Sequence, residues 1–494
     1  MTSPSLIAEA FAAVLRDRAG EVLLEAPSDG CACTARQIDD RARLLAAAFT
    51  RSRLAAGHVV LAAIGNHPSM PSLVLACLRG ALPLLPVDHS APIAELQALA
   101  RQWRAAVLIV RDTVPLPADA GISHRLADGL LAWLPNQRPE PGMHGTACLL
   151  KLTSGSTGAP RATATEEHHL VADVQQIVDS MEIGPQTRQL AVIPLSHSYG
   201  FSNLLLPLLW QGTPIRLRPQ FVPTQIAGDV SDGAIETLAG VPFMFDHLAR
   251  HQSAPLGPTL RLVLSAGAPL SFDTVQAFHR ATGLKVRSFY GSSETGGICF
   301  DDSAALDPAV PVGRPIGHTM VQLLPDEQAP SGSGRLAVLG PAVIARYADG
   351  LSAEPAPGEP VPLTEYGQFV TADYGYQDAA GRYVLTGRTA SFVNVAGRKV
   401  QPQDVEAALR DLPGIADAVV MAVHDEVRGE ALGACLASAQ PWTGRQVREA
   451  LSARLAPHKL PRVVVVVPAL PLTARGKIDR VAVARLLRSA ATPS

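Results

Sequence analysis

The clearest chemical signal is a run of four hydroxyls and two glycines within six positions, 153–158. The run follows an apolar stretch at 147–150, which predicts a buried strand. Glycines let the backbone turn sharply and aim several N–H groups at one place, where hydroxyls add further donors. This arrangement suits the β- and γ-phosphates of a nucleotide, and an ordinary Ser/Gly turn is the alternative. The candidates are Thr153, Ser154, Gly155, Ser156, Thr157 and Gly158, with Arg161 three positions later.

The run differs from the phosphate-binding loop of kinases and GTPases. That loop needs a lysine and then a serine or threonine directly after its second glycine. Here Ala159 and Pro160 follow Gly158. The sequence therefore disfavours a P-loop kinase or GTPase.

A second polar cluster spans positions 288–297 and follows a predicted strand at 285–290. Tyr290 is placed to lie against a nucleotide base, and Ser293 to donate to an α-phosphate. Glu294 is a candidate for Mg²⁺, which takes one or two carboxylates together with phosphate oxygens. A polar turn with a surface glutamate is the structural alternative.

Two more motifs lie further along the chain. Asp373 suits bidentate hydrogen bonding to ribose hydroxyls, the role of an acidic residue in other nucleotide sites. Arg388 lies just before a change in composition, and Lys477 lies on a Gly-containing turn at 471–480. Taken singly, each of the three is equally typical of a turn or a solvated surface.

The elements that must position these residues predict an α/β fold. Strands and helices alternate over residues 59–110, which favours a mostly parallel sheet with ligands beyond its strand ends. Glycine and proline become frequent over 313–370 and predict a β-rich subdomain. After residue 398 the pattern predicts a small α+β domain. We therefore expect a large N-terminal domain of parallel-type α/β sheets plus a β-rich subdomain, with a small α+β C-terminal domain.

Length and composition exclude several classes of protein. A chain of 494 residues predicts two or more domains, and 47% hydrophobic residues can bury large cores. A net charge of −2 gives no electrostatic case for nucleic acid or an anionic membrane. The first twenty residues lack a signal-peptide pattern, and six cysteines form no CxxC pair. We expect a reduced, cytoplasmic protein without structural zinc.

Taken together and in this order, the four motifs resemble the adenylate-forming superfamily. That superfamily includes acyl- and aryl-CoA synthetases, nonribosomal-peptide adenylation domains and firefly luciferase, and the resemblance runs from about residue 38 to 480. It implies an N-terminal domain at 1–387, a hinge at 388–391 and a mobile C-terminal domain at 392–494. It also implies ATP and Mg²⁺ as cofactors, an acyl-AMP intermediate, and CoA or phosphopantetheine as the thiol acceptor.

The resemblance further implies roles for single residues. Lys477 matches the lysine that bridges the substrate carboxylate and the α-phosphate, and Glu294 matches the metal position. Asp373 and Arg388 match the ribose ligands, while the loop at 153–158 closes on the phosphates. The residues expected around adenine and the α-phosphate are Gly267, Ala268, Pro269, Tyr290, Gly291, Ser292 and Ser293.

The thiol step also has implied residues, and the chain departs from the family pattern in two places. Gly397 matches the lining of the thiol tunnel. Ala390 stands at the hinge, where the family usually carries Asp or Lys, so a hinge salt bridge is in doubt. Arg161 stands where the phosphate loop usually carries Lys, so a planar fork replaces a compact ammonium.

The segment at 194–203 matches the part of the family that lines the acyl pocket. Amino-acid-activating members place an Asp in this segment, and none occurs over 194–209, so an α-amino acid is disfavoured. His197 resembles the ring that lies against the substrate carboxylate, with a structural histidine as the alternative. The mostly apolar wall favours an aryl or fatty acid. The expected lining is His197, Ser198, Phe201, Val241, Gly267, Gly291 and Gly296.

The resemblance therefore predicts an AMP-forming acid–thiol ligase that acts on a small carboxylic acid, most simply an acyl- or aryl-CoA ligase. The alternative is a stand-alone adenylation enzyme whose partner is the phosphopantetheine of a carrier protein. A non-catalytic nucleotide-binding relative is weakened by the joint presence of Glu294, Asp373, Arg388 and Lys477. An oxygenase of the luciferase type is not excluded by motif.

Overall fold

The computed structural model describes most of the chain. The described residues are 4–91, 93–114, 122–126, 128–135, 138–153, 161–232, 234–251, 256–348, 368–388, 393–395, 398–400, 402–425, 429–452, 454–455, 457–473 and 478–491.

The first third of the chain alternates helices with short strands. Helix α2 begins with a capping box between Thr34 and Gln37, and its predicted apolar positions Ile38, Ala42 and Phe49 are buried. The elements are α1 (Leu6–Arg18), β1 (Val22–Ala26), β2 (Cys31–Thr34), α2 (Ala35–Arg51), β3 (Val59–Ala63), α3 (Met70–Arg79), β4 (Leu84–Pro86), α4 (Ile93–Gln102), β5 (Ala105–Arg111), β6 (Ile122–Arg125) and β7 (Leu130–Leu134).

The middle of the chain contains most of the polar motifs, which lie at strand ends. One helical stretch, Phe201–Leu205, is a π-helix inserted between two α-helical segments. The elements are β8 (Leu149–Thr153), β9 (Arg161–Thr165), α5 (Glu167–Ser180), β10 (Gln189–Ala191), α6 (Ser198–Gly200), α7 (Leu206–Gln211), β11 (Ile215–Leu217), α8 (Pro223–Asp232), β12 (Thr237–Gly240), α9 (Pro242–His251), β13 (Leu262–Ser265), α10 (Phe272–Thr282), β14 (Val286–Ser292) and β15 (Gly296–Phe300).

The remaining elements are mostly strands up to residue 388 and mixed after it. The β-rich part is β16 (Arg314–Pro315), β17 (Met320–Leu324), β18 (Gly334–Leu339), β19 (Gln368–Gln377) and β20 (Tyr383–Arg388). The C-terminal elements are β21 (Val393–Val395), β22 (Arg398–Val400), α11 (Pro402–Arg410), β23 (Ile415–Asp425), β24 (Gly429–Ser438), α12 (Gly444–Ser452), β25 (Val463–Val467) and α13 (Arg480–Ala491).

Four sheets organise these strands. The largest has the order β16-β15-β14-β13-β12-β10-β11-β1-β2, and the second has the order β6-β7-β5-β3-β4-β8-β9. The strands from β1 through β11, β10, β12 and β13 to β14 pair in parallel, as do β3 with β4 and β5. The predicted α/β fold with parallel sheets is therefore confirmed. The third sheet, β17-β18-β19-β20, is antiparallel and supplies the β-rich subdomain.

The C-terminal sheet has its own core. Strands β22, β21, β24 and β23 pair in that order, and β25 adds to β24 in parallel. Buried residues of α11 and α12 pack on one side of this sheet, and buried residues of α13 form part of a second apolar cluster. The expected small α+β domain is confirmed. In the described part of the chain, no helix is both long and apolar enough to cross a membrane.

Candidate active site

The predicted phosphate loop connects two antiparallel strands. Thr153 ends β8 and pairs with Arg161 at the start of β9, and the Thr153 hydroxyl donates to the Arg161 carbonyl at 3.5 Å. The ends of the loop are thus held side by side. The loop residues themselves, Ser154, Gly155, Ser156, Thr157 and Gly158, lie outside the described residues.

The hairpin of β14 and β15 presents the second cluster. Gly291 pairs with Gly297, and an added Cβ at Gly291 would lie 2.5 Å from the Gly296 carbonyl oxygen. Only glycine fits that close approach. The Ser292 hydroxyl accepts the Glu294 N–H at 3.2 Å, which fixes the turn that carries Glu294. The hairpin thus has a geometry that depends on its glycines.

Asp373 is the centre of a cluster at the expected ribose position. It faces Arg388 across β19 and β20, and the Arg388 Nε lies 2.8 Å from Asp373 Oδ1. The Tyr290 hydroxyl donates to the other carboxylate oxygen at 2.6 Å. Burial, together with the Asp373 charge, raises the pKa of Tyr290 well above its usual value, so the phenol stays a donor. The structure therefore brings together three residues from two predicted motifs.

The predicted acyl-pocket segment touches the predicted α-phosphate residue. The hydroxyls of Ser198 and Ser293 lie 2.7 Å apart. His197 is half-buried and precedes α6, and Phe201 is buried at the start of the π-helix. The Tyr199 hydroxyl donates to the Leu264 carbonyl at 3.1 Å, which ties the segment to β13.

The turn after β13 completes this edge of the large sheet. Gly267 has a φ of +80°, and a Cβ added there would lie 3.8 Å from the Val241 side chain. Ala268 and Pro269 are exposed, and Gly296 is half-buried. Since β12, β13 and β14 are parallel neighbours, their carboxyl ends place Val241, Gly267 and Tyr290 along one edge, where ligands of α/β sheets bind.

Tyr347 also belongs to this group, although no sequence motif pointed to it. Its ring lies under the Arg161 guanidinium, whose carbon is 4.0 Å from the ring centroid. Its hydroxyl donates to Glu294 Oε1 at 3.0 Å. The backbone of 344–348 adds contacts on both sides, because Ile344 N–H donates to the Glu294 carbonyl and Ala348 N–H to the Ala162 carbonyl.

Helix α5 supports the hairpin from behind. Asp173 Oδ1 accepts the Gly297 N–H at 2.8 Å, and the Gln176 amide donates to the Gly297 carbonyl at 2.9 Å. Lys151, on β8, is buried in the field of Asp173 and Glu294, and burial lowers its pKa. In the sequence, Asp173 and Gln176 carry no signal beyond their place in a helical pattern.

Asn66 supports the other wall. Its amide donates to the carbonyls of Ile193 and Arg218 at 3.2 and 2.9 Å, and its oxygen accepts the Leu195 N–H at 2.8 Å. Asn66 follows β3, so it links the second sheet to the turn that leads into His197. An asparagine directly after a buried strand was the available signal.

Three predicted residues lie outside the described residues in addition to the loop. They are Lys477, Ala390 and Gly397. Arg388, next to the predicted hinge, is described, and its side chain is 62% exposed.

The donor set at Glu294 fits a magnesium ion that is bound mainly by phosphates. In the described ranges, no group of three or more His, Cys, Asp or Glu side chains could hold a metal. One carboxylate with hydroxyl neighbours is nevertheless what Mg²⁺ uses when phosphate oxygens and water complete its shell.

The chain is similar to known proteins in sequence. The sequence profile of the AMP-binding enzymes matches residues 11–348, and that of the AMP-binding enzyme C-terminal domain matches 404–477. Indoleacetate–CoA ligase of Aromatoleum aromaticum is 27% identical, over 84% of this chain and 85% of the relative. Feruloyl-CoA synthase of an Amycolatopsis species is also 27% identical, over 91% and 93%.

Solved structures show the same fold. ATP-bound MatB from Rhodopseudomonas palustris superposes with a TM-score of 0.81 at 22% identity, over 97% of this chain and 98% of the other. The amide bond synthetase McbA from Marinactinospora thermotolerans gives a TM-score of 0.78 at 24% identity, over 98% and 100%.

Proposed function

The chain belongs to the family of AMP-binding enzymes, and we propose that it is an acyl- or aryl-CoA ligase. It activates a carboxylic acid with ATP to an acyl-AMP, releases pyrophosphate, and transfers the acyl group to the thiol of CoA. The observation that carries the proposal is the contact between Ser198 and Ser293. It brings the segment expected to line the acid against the residue expected at the α-phosphate, the two groups that must meet.

The nucleotide is held from its ribose side. Asp373 accepts the ribose hydroxyls, while Tyr290 and Arg388 keep its carboxylate in place. The Tyr290 ring, at the end of β14, lies against the base together with the turn that contains Gly267. These contacts orient the α-phosphate toward the acyl pocket.

A carboxylate is a poor nucleophile toward an anion, so the site must gather positive charge. Arg161 and the N–H groups of the loop at 153–158 face the phosphates, and Lys477 bridges the acid and the α-phosphate. Glu294 would hold Mg²⁺, which when bound supplies positive charge to the phosphate oxygens. His197 orients the acid carboxylate.

The thiol then attacks the acyl-AMP carbonyl and AMP leaves. The C-terminal domain turns about Ala390 between the two steps, which withdraws Lys477 and lines the thiol path with Gly397. A hinge of this kind needs only a few residues that absorb the backbone change.

The acid is aryl or fatty. Phe201 and Val241 give an apolar wall, and residues 194–209 hold no Asp for an α-ammonium group. Relatives named for indoleacetate and ferulate support an aryl acid.

The decisive experiment is an acid panel assayed by pyrophosphate release, with aryl, fatty and α-amino acids, followed by thioester detection with CoA. We expect aryl or fatty acids to release pyrophosphate and form acyl-CoA. Thioester on a phosphopantetheinylated carrier protein, with none on CoA, would replace the ligase by the carrier-loading alternative.

Lys477→Ala should abolish adenylation yet keep thioester formation from supplied acyl-AMP, and equal loss in both steps would contradict its role.

A further inference from the structure

Tyr347 lies between two charged groups of the phosphate side. Its ring faces the Arg161 guanidinium at 4.0 Å, and its hydroxyl donates to Glu294 Oε1 at 3.0 Å. Arg161 begins β9 of one sheet, and Glu294 lies in the turn between β14 and β15 of another. One aromatic side chain thus contacts both the exit of the phosphate loop and the carboxylate expected to hold the metal.

The backbone around Tyr347 is anchored on both sides. Tyr347 forms an antiparallel bridge with Thr163 of β9, and the Ala164 N–H donates to the Arg346 carbonyl at 3.1 Å. On the other side, the Ile344 N–H donates to the Glu294 carbonyl at 2.9 Å. The side chain is 9% exposed. Its two contacts therefore belong to one fixed arrangement.

The chemistry of each contact is specific. A guanidinium is planar and weakly hydrated, so it stacks on an aromatic face, whereas the ammonium of lysine is a compact and strongly hydrated charge. This accounts for arginine at position 161, where the resemblance leads one to expect lysine. A phenol that donates to one carboxylate oxygen fixes the rotation of the carboxylate and leaves the other oxygen for a cation.

We propose that Tyr347 is a positioning residue that aligns Glu294 for the metal and Arg161 for the phosphates of ATP. The inference rests on the proposed function, because it takes the nucleotide site from it. Tyr347 contacts neither the acid nor the thiol in this role. It acts through its two neighbours, so its loss should change how strongly magnesium increases the affinity of the enzyme for ATP.

Measurements of ATP binding test whether the Tyr347 hydroxyl aligns Glu294. ATP affinity is measured by calorimetry without any acid, once with magnesium and once with EDTA, for the wild type and Tyr347→Phe. We expect the gain in affinity from magnesium to fall about tenfold in Tyr347→Phe, because a hydrogen bond to a charged group is lost. Affinity in EDTA should be unchanged.

Tyr383→Phe is the matched control. In the wild type the Tyr383 hydroxyl donates to an uncharged acceptor, the Val321 carbonyl, at 2.8 Å in the β-rich sheet. It should keep the full magnesium effect. An unchanged or larger magnesium effect in Tyr347→Phe would overturn the proposal.

A double-mutant cycle tests whether the Tyr347 ring positions Arg161. In EDTA, Arg161→Ala should weaken ATP binding, and it should do so much less when Tyr347→Leu has already removed the stacking surface. Each single variant weakens ATP binding by some factor. If the product of the two factors matches the loss in the double variant to within about twofold, the ring does not position Arg161. Neither assay contains acid or thiol, so both can be read even if the enzyme activates no acid. In that case, ATP binding that changes as expected would support the role of Tyr347 and refute only the proposed function.

Discussion

The proposed ribose end and the proposed phosphate end of the site are built in different ways. At the ribose end, Asp373, Arg388 and Tyr290 contact one another directly. At the phosphate end, Arg161 and Glu294 are linked by a third residue, Tyr347, from the β-rich part of the chain. One end is a hydrogen-bonded cluster around a single carboxylate, and the other is a chain of contacts between sheets.

We expect the two ends to contribute differently, one to ATP binding and the other to the rate of reaction. A buried carboxylate with both oxygens already paired has little freedom to move, so the ribose end is suited to binding ATP equally before and during reaction. The phosphate end combines separate charges whose alignment matters where charge develops. Uniform binding lowers the concentration of ATP needed, whereas stabilising the developing charge raises the rate.

The largest effect is expected from Glu294→Gln at the phosphate end. The substitution keeps the shape of the side chain and removes the charge that we propose holds the metal. We expect adenylation, measured by pyrophosphate release, to fall by about 10²–10³-fold, as for the loss of one electrostatic group at a reaction centre. ATP affinity in EDTA should hardly change, whereas the gain in affinity from magnesium should fall. A variant that kept its rate at saturating ATP and magnesium would erase the distinction between the two ends.

Asp373→Ala at the ribose end should act on binding. A hydrogen bond to a charged group contributes about 1.5–3 kcal/mol, so ATP affinity should fall about ten- to hundredfold. The rate at saturating ATP should be largely kept. Asp326→Ala is the control, since Asp326 accepts the Tyr374 hydroxyl at 3.1 Å in the same sheet. Equal losses in the two variants would point to a general disturbance of that sheet.

Arg388→Ala should have a smaller effect. Its side chain is 62% exposed, and an exposed ion pair contributes about 1 kcal/mol at most, or about fivefold in ATP affinity. Tyr290 still holds Asp373 in this variant. A loss as large as that of Asp373→Ala, measured by calorimetry, would mean that Arg388 itself binds the nucleotide strongly.

The smallest effect concerns α5, which supports the phosphate end. Burial and the neighbouring His168 lower the pKa of His169 to about 4 from 6.5. As pH falls from 6.5 to 4 the unfolded chain takes up a proton that the folded protein does not, so stability decreases in that window. His169→Gln keeps an acceptor for the Glu166 N–H, as in an ordinary capping box.

The melting temperature of His169→Gln should therefore decline less steeply between pH 6.5 and pH 5 than that of the wild type. Activity at pH 7 should be equal. Parallel curves would show that His169 does not contribute to the acid sensitivity of this region.

The ribose end was predictable from sequence because its residues lie in short motifs beside recognisable strands. Asp373 and Arg388 are separated by one hairpin, so sequence proximity becomes spatial proximity. The alternation of strands over residues 59–110 was also predicted, and β3 within it is buried throughout. The ribose roles of Asp373 and Arg388 remain predictions, as do the roles assigned to Lys477, Ala390 and Gly397.

The phosphate end was only partly predictable. Glu294 and Arg161 lie in motifs, yet Tyr347 lies in a glycine- and proline-rich stretch without periodicity. Its position depends on pairing with β9, a contact across 184 residues that no local pattern encodes. Strand β24 has no clear sequence signal for a different reason, because its many small residues hide the alternation. Long-range pairing, more than local propensity, decided the position of Tyr347.

The π-helix at Phe201–Leu205 has a consequence for remodelling the proposed acyl pocket. The Leu206 N–H donates to the Phe201 carbonyl, so this turn contains one residue more than an α-helical turn. Deleting one residue would let the turn close as α-helix and rotate the His197–Phe201 segment by about 100° relative to α7. Chain length at this turn is therefore a design variable in its own right, and libraries that delete or insert one residue here would reach pocket shapes that side-chain replacement cannot.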